Sequence, residues 1–273
     1  MYKIKKGDIV GRKSYGKDIM FIVINIDEKE NIASLKGIYE RIEADSQISD
    51  LEIIKKDMLI KQKEENTTKV KSKIEDLKRE TKEKILTGKI LHLDGDKKYS
   101  YKSYMYYKKS MLNSVVKNIP EYRQPKEVYR LLFLYNPDIL IITGHDGMFN
   151  KKSSFDTLEN YRNSKYFIEA VKEARRYEKD YFKNLVIFAG ACQSYYEAII
   201  SAGANFASSP SRILIDFIEP LIVAKNIALT DKKKYITIDD FYKELKNGKA
   251  GISGIGAYGK AEKYLCNINE INL

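Results

Sequence analysis

The sequence predicts an α/β protein: a mostly parallel sheet flanked by helices, preceded by a small β unit. Three observations lead there. From Lys89 onward, short apolar runs alternate with helical patterns, the spacing of strand-helix-strand units. Two of the runs, 138–143 and 185–189, are apolar on both faces, as in strands covered by helices on each side. Before residue 55 the pattern differs, with β-branched stretches separated by polar turns.

Residues 1–54 read as one unit. Gly7-Asp8 is a turn signal, and Ile9-Val10, 19–26, 32–38 and Ile53-Ile54 are strand candidates. The segment is too short for a doubly wound sheet, and a small SH3-like barrel is expected. Its role is either that of an adaptor or that of a module that binds a partner or masks an active site. Residues 55–88 change character to Lys, Glu and Thr, with Val70, Ile74 and Leu77 on one helical stripe and Lys71–Glu75 at ion-pair spacing. This is a charged helical linker. Basic and acidic residues interleave along it, so it offers no focused positive field for nucleic acid.

Residues 89–273 form the α/β unit. The strand at 89–93 ends in Asp94-Gly95-Asp96, and residues 99–117 read as a Tyr- and Lys-rich helix. Pro120 and Pro125 punctuate a loop before a helix at 126–135. After the strand at 138–143 comes a long helix at 158–178, then the strand at 185–189. A helix at 193–202 and a short strand at 205–208 follow. Thr237 and Asp240 form a capping pair further on.

Composition narrows the chemistry. The chain has 273 residues and a formal charge of +11, which permits anionic partners without identifying one. Two cysteines, Cys192 and Cys266, exclude a disulfide-dense secreted scaffold. The N-terminus has no apolar signal core, and no 18-residue apolar run spans a membrane. These features point to a soluble protein of the cytoplasm. His92 and His145 are the only histidines, so imidazole chemistry rests on one of them.

Two loops carry that chemistry. Thr143-Gly144-His145-Asp146-Gly147 follows one buried strand, and Gly190-Ala191-Cys192-Gln193-Ser194 follows the next. Both lie at the carboxyl edge of the sheet, where α/β proteins place their sites. Neighbouring parallel strands are about 4.8 Å apart, so the loops meet. Cys192 is expected at the start of a helix, which lowers a thiol pKa. His145 then takes the thiol proton and later protonates the leaving amine. Backbone amides of Gly144, Gly147 and Cys192 are the oxyanion-hole candidates. Asp146 either orients the imidazole or caps the following turn. His92 reads as a structural histidine within a strand, and Cys266 as a spectator. The run GISGIGAYG fits a mobile tail or substrate-side loop better than a phosphate loop, because Ala261 stands where a metal-binding hydroxyl belongs.

These loops resemble those of the caspase-fold cysteine peptidases. The interval is 192 − 145 = 47 residues, against roughly 50 from the caspase histidine to its cysteine. The resemblance implies a caspase-like sheet. It departs from the family at Asp146, which separates His145 from Gly147, and at Gln193-Ser194 after the cysteine. A closer resemblance is to the YabG sporulation peptidases of spore-forming Firmicutes. It rests on GDIVGRKSYGKDIMF, ILHLDGD, DILIITGHD, NYRNSKYF, LVIFAGACQS and AGANFASSPSR and covers nearly the whole chain. It implies a cysteine endopeptidase of the mother cell, associated with the spore coat. No cofactor or metal is expected, because the sequence lacks the Cys and His clustering that such sites need. It also implies cleavage after arginine in coat and cortex-associated proteins, and self-processing. An arginine at P1 requires a carboxylate in its pocket. The candidates are Asp94 and Asp96, with Asp216 in reserve, although Asp94-Gly95-Asp96 also reads as a plain turn or a Mg²⁺ or phosphate loop. Self-cleavage is expected after residues such as Arg79 in the charged segment. The competing class is a non-enzymatic coat scaffold, in which Cys192 is dispensable. The absence of any histidine after Cys192 counts heavily against thiol enzymes of the glutamine-amidotransferase type and excludes a Ser-Asp-His hydrolase order.

Overall fold

The computed structural model describes residues 3–54, 58–59, 85–149 and 155–263. The linker stripe, Arg79 and Cys266 therefore lie outside the described residues.

The N-terminal residues form a five-stranded antiparallel sheet. Its strands are β1 (Ile9–Arg12), β2 (Phe21–Asp27), β3 (Ile32–Gly37), β4 (Glu43–Gln47) and β5 (Leu51–Ile53), in the order β4-β3-β2-β1-β5. Alternate residues such as Phe21, Val23, Ala33 and Leu35 point into its core. The sequence pattern predicts four of these strands. It misses β4, because Glu-Ala-Asp-Ser-Gln has almost no apolar content.

After β6 (Ile85–Leu86), the main sheet begins with β7 (Ile90–Asp94), followed by α1 (Lys97–Lys109) and β8 (Ser114–Asn118). Then come α2 (Gln124–Tyr135), β9 (Ile139–Thr143), α3 (Ser164–Asp180), β10 (Val186–Ala189), α4 (Tyr196–Ser201), β11 (Phe206–Ser208) and α5 (Glu219–Leu229). Short strands β12 (Tyr235–Ile236), β13 (Ile252–Gly254), β14 (Ala257–Tyr258) and β15 (Glu262–Lys263) complete the described chain. The main sheet runs β13-β11-β10-β9-β7-β8, with every neighbouring pair parallel except β11–β13. It is a mostly parallel sheet flanked by helices, as expected. The strand order reverses between β7 and β9, the switch point at which such sheets open a crevice.

Two apolar layers sandwich this sheet. On one face Ile90, Ile139, Ile141 and Phe188 pack under Tyr106 and Tyr107 of α1 and Leu221 and Ile227 of α5. On the other, Leu91, Leu93, Leu140 and Ile142 meet Val128 and Leu132 of α2 and Phe167 and Val171 of α3. This double burial explains why β7, β9 and β10 read as continuous apolar runs.

Some expected elements change. The helix expected to run to residue 117 ends at Lys109, and Met111 turns with φ 52°. Val115 and Val116 then enter edge strand β8, where β-branched side chains fit. The glycine run at 251–259 is not a tail but supplies β13. At Gly254 a Cβ would stand 2.1 Å from the Asn205 carbonyl oxygen, so the close strand approach requires glycine. Thr237 and Asp240 do form a capping box, on a single 3₁₀ turn.

Candidate active site

The register of the parallel strands positions the two loops. Ile142 pairs with Ala189, so His145 and Cys192 both lie three residues beyond partnered positions on adjacent strands. Gly190 N–H donates to the Ile142 carbonyl at 3.0 Å and closes the strand ends together. Asp94 pairs with Thr143 on the other side, at the switch point.

His145 is buried, and it is held through its main chain. Its N–H donates to Glu121 Oε1 at 2.7 Å, and its carbonyl accepts from Asn163 Nδ2 at 2.9 Å. Nδ1 stands 3.8 Å from the same Glu121 oxygen, within ion-pair reach. Among the described residues neither ring nitrogen has a hydrogen-bond partner, so both stay available for proton transfer. Burial pushes the Glu121 carboxyl up, but the pull of the adjacent His145 is stronger and holds it below the usual carboxylate range. Sequence reading missed Glu121. It sits in a 3₁₀ turn after β8, 24 residues from its partner, and only the Pro120 loop signal marks the place.

Asp146 does not face the imidazole. Its Oδ1 accepts from Gly147 N–H at 2.9 Å and Asn163 N–H at 2.8 Å. Its Oδ2 accepts from the hydroxyls of Ser164 at 2.5 Å and Ser194 at 2.9 Å. Ser194 Oγ in turn accepts from Ala191 N–H at 2.9 Å, beside Cys192. The carboxylate thus ties the histidine loop to the cysteine loop. Burial pushes its pKa up to about 6, against the pull of these donors.

Cys192 is fully buried. Its sulfur accepts from Ile215 N–H at 3.2 Å. The expected helix start is corrected here: Gln193 takes φ 55°, and α4 begins only at Tyr196. Cys192 therefore lies outside the first turn, where a helix dipole acts. It packs with Ile215 into the core of the N-terminal sheet, beside Phe21 and Ile42. Burial pushes its thiol up to about 11, which keeps it protonated at neutral pH.

The three aspartates separate clearly. Asp96 caps α1, accepting from Lys98 N–H at 2.8 Å and Tyr99 N–H at 3.2 Å. Asp216 accepts from Ile218 N–H at 3.2 Å in the turn before α5. Asp94 is fully buried, and its Oδ2 receives Arg41 Nη2 at 2.5 Å. Asp94 Oδ2 also accepts from Thr143 Oγ1 at 2.8 Å, and Oδ1 accepts from Asp96 N–H at 2.8 Å.

Behind Asp94 the polar groups form one relay. His92 Nε2 lies 2.7 Å from Thr143 Oγ1, and Nδ1 lies 3.1 Å from the Tyr107 hydroxyl. Thr143 has a single hydroxyl proton, and the carboxylate takes it. His92 therefore donates from Nε2 to Thr143 and accepts at Nδ1 from Tyr107. Burial holds the His92 pKa well below its usual value, so the ring stays neutral, as a structural histidine should. Among the described residues no group of three or more His, Cys, Asp and Glu side chains converges to hold a metal ion.

A family model described as YabG peptidase U57 matches residues 5–265. The chain belongs to this family. It is also similar to the sporulation-specific protease YabG of Bacillus subtilis (strain 168), with 37% identity over 275 residues, 93% of this chain and 94% of that protein. No solved structure matches. YabG peptidases are sporulation-specific proteases, which act on protein substrates. None of the described helices is long and apolar enough to cross a membrane.

Proposed function

We propose that this YabG peptidase is a cysteine endopeptidase that cuts after arginine. Cys192 is its nucleophile, His145 its general base and acid, and Asp94 the carboxylate of its arginine pocket. The observation that carries this reading is the guanidinium of Arg41, already seated on Asp94 beside the histidine loop. A buried carboxylate at the switch point with a satisfied relay behind it is a site built for a cation.

In this mechanism His145 takes the Cys192 proton, and the thiolate adds to the carbonyl carbon of the arginine residue. Collapse of the adduct breaks the C–N bond, and His145 protonates the departing amine. His145 then deprotonates a water that hydrolyses the thioester and restores the thiol. Glu121 steadies the imidazole and the imidazolium it becomes. The oxyanion donors follow the loops at Gly144, Gly147 and Cys192, with one adjustment. Gly147 N–H is occupied by the Asp146 carboxylate, whereas Asp146 N–H faces the Arg41 carbonyl oxygen at 3.4 Å. Asp146 N–H and Cys192 N–H are the better pair.

Residues 1–54 are read as an SH3-like unit, 55–88 as a linker and 89–273 as a caspase-like peptidase unit. The meander order of the first sheet and the matched His and Cys loops of the second support this. The substrates are spore coat and cortex-associated proteins in the mother cell, and self-processing belongs to the same reading. A peptide library varied at P1 tests it, with Cys192→Ala and His145→Ala run alongside. Arginine peptides should be cut, and each variant should lose about 10³-fold or more. Cutting by Cys192→Ala would overturn the mechanism. Folded wild type that cuts nothing, after its N-terminal unit has been removed, would return the chain to the scaffold class.

A further inference from the structure

Arg41 is not part of the peptidase sheet. It belongs to the turn between β3 and β4, 53 residues before its partner Asp94. The segment around it makes a series of contacts with the cleft. The carbonyl of Ile38 accepts from Lys98 Nζ at 3.2 Å, and that of Tyr39 accepts from the Tyr99 hydroxyl at 2.6 Å. The Arg41 guanidinium lies over the Tyr99 ring, 5.2 Å from its centre, with its head on Asp94. Ile42 forms a parallel bridge with Asp146, made by Glu43 N–H to the Asp146 carbonyl at 2.9 Å and Asp146 N–H to the Arg41 carbonyl at 3.4 Å. Main-chain pairing plus one side chain in a pocket is how an extended peptide is held on an exposed edge.

The cleft is shaped to this segment. A Cβ on Gly147 would stand 2.1 Å from the Glu43 carbonyl oxygen, so the approach is too close for any other residue. Arg162 pairs with Asp45 just beyond and fastens β4 down. Ile42 lies in the same buried cluster as Cys192, and Arg41 is almost fully buried. A substrate arginine and Arg41 cannot both occupy Asp94, and Cys192 is fully buried in this arrangement.

We infer that residues 38–43 are an internal pseudosubstrate, with Arg41 filling the arginine pocket and the N-terminal sheet holding the peptidase latent until this segment is lifted out. This rests on the reading of the cleft as an arginine-directed peptidase site. The latent state also explains why the nucleophile is buried and protonated here.

The test uses the full chain with Cys266→Ser, so that Cys192 is the one thiol present. Two readouts are compared before and after Arg41→Ala: alkylation of Cys192 by iodoacetamide, followed by intact mass, and cleavage of an arginine peptide against a matched lysine peptide. Removing Arg41 leaves Asp94 buried without its cation, which favours the open arrangement, and alkylation should accelerate about a hundredfold. Arginine-peptide cleavage should rise in parallel. Asp45→Asn, which loosens the fastening and leaves the pocket intact, should accelerate alkylation about threefold to tenfold and guards against a fold defect in Arg41→Ala. Alkylation within twofold of the parent in both variants overturns the latency. Accelerated alkylation with no cleavage of any peptide upholds the occluding segment and overturns the reading of the cleft as an arginine-directed cysteine site instead.

Discussion

The histidine loop and the cysteine loop leave adjacent strands at matching positions, yet they are stabilised by opposite means. The loop at 143–147 is set by polar groups of its own sheet: Glu121 on the His145 N–H, and four donors on Asp146. The environment of Cys192 is instead supplied by apolar residues of the other sheet, Phe21 and Ile42 among them. The side-chain bonds of the histidine loop thus stay within the peptidase unit, with only its main chain bridging to Ile42, whereas the apolar cover of Cys192 comes from the N-terminal sheet. Chemistry and control are built into different loops.

The contrast can be broken at Asp94, which serves both sides. Asp94→Asn leaves Arg41 buried without a counter-charge and should cost about 3–5 kcal/mol of stability, measured by denaturant unfolding. The surviving enzyme should lose its preference for arginine over neutral P1 residues. If stability and preference are both unchanged, Asp94 is not the pocket.

A pH profile sharpens the contrast. With the thiol pushed up to about 11, the alkylation rate of the intact chain should climb with pH through the alkaline range and level off only near that value. The lowered Glu121 acts in the opposite part of the scale. Its folded pKa lies below its unfolded one, so its contribution to stability is present above the unfolded value and is lost as pH falls through the folded one. A thiol profile that levels off near pH 8.5 would mean that Cys192 is not protected by burial.

The smallest effect is expected at the tie between the loops. Ser194→Ala removes one donor to Asp146 and leaves the Ala191 amide without its acceptor, which should cost about 1–3 kcal/mol. A melt showing no change would mean that the two loops hold their places independently.

Much of this was legible in the sequence, and the gaps have physical causes. β7, β9 and β10 are buried on both faces, so their apolar runs announce themselves, and the loops that follow them are the ones that carry His145 and Cys192. Asp94 was legible as a candidate carboxylate, but not distinguishable from Asp96, since only the cap geometry of α1 separates them. Glu121 and Arg41 were not legible at all. Their partners lie 24 and 53 residues away, and no periodicity records a contact of that kind. β4 escaped because it is a half-buried edge strand with almost no apolar content. The helix placed at Cys192 failed because the positive φ of Gln193 delays it by a turn, and Gln gives no warning of such a conformation.

Arg41 and Asp94 belong to one polypeptide, and that changes the arithmetic of competition. A tethered ligand has an effective concentration that dilution does not lower, in the millimolar range for short flexible connections. A short peptide that offers only an arginine competes at a disadvantage below that concentration and is cut slowly. A protein substrate that also grips a second surface, such as the groove of about 580 Å³ between Asp45 and Phe155, can displace it. Selectivity for whole proteins over fragments is then a property of the tether rather than of the pocket.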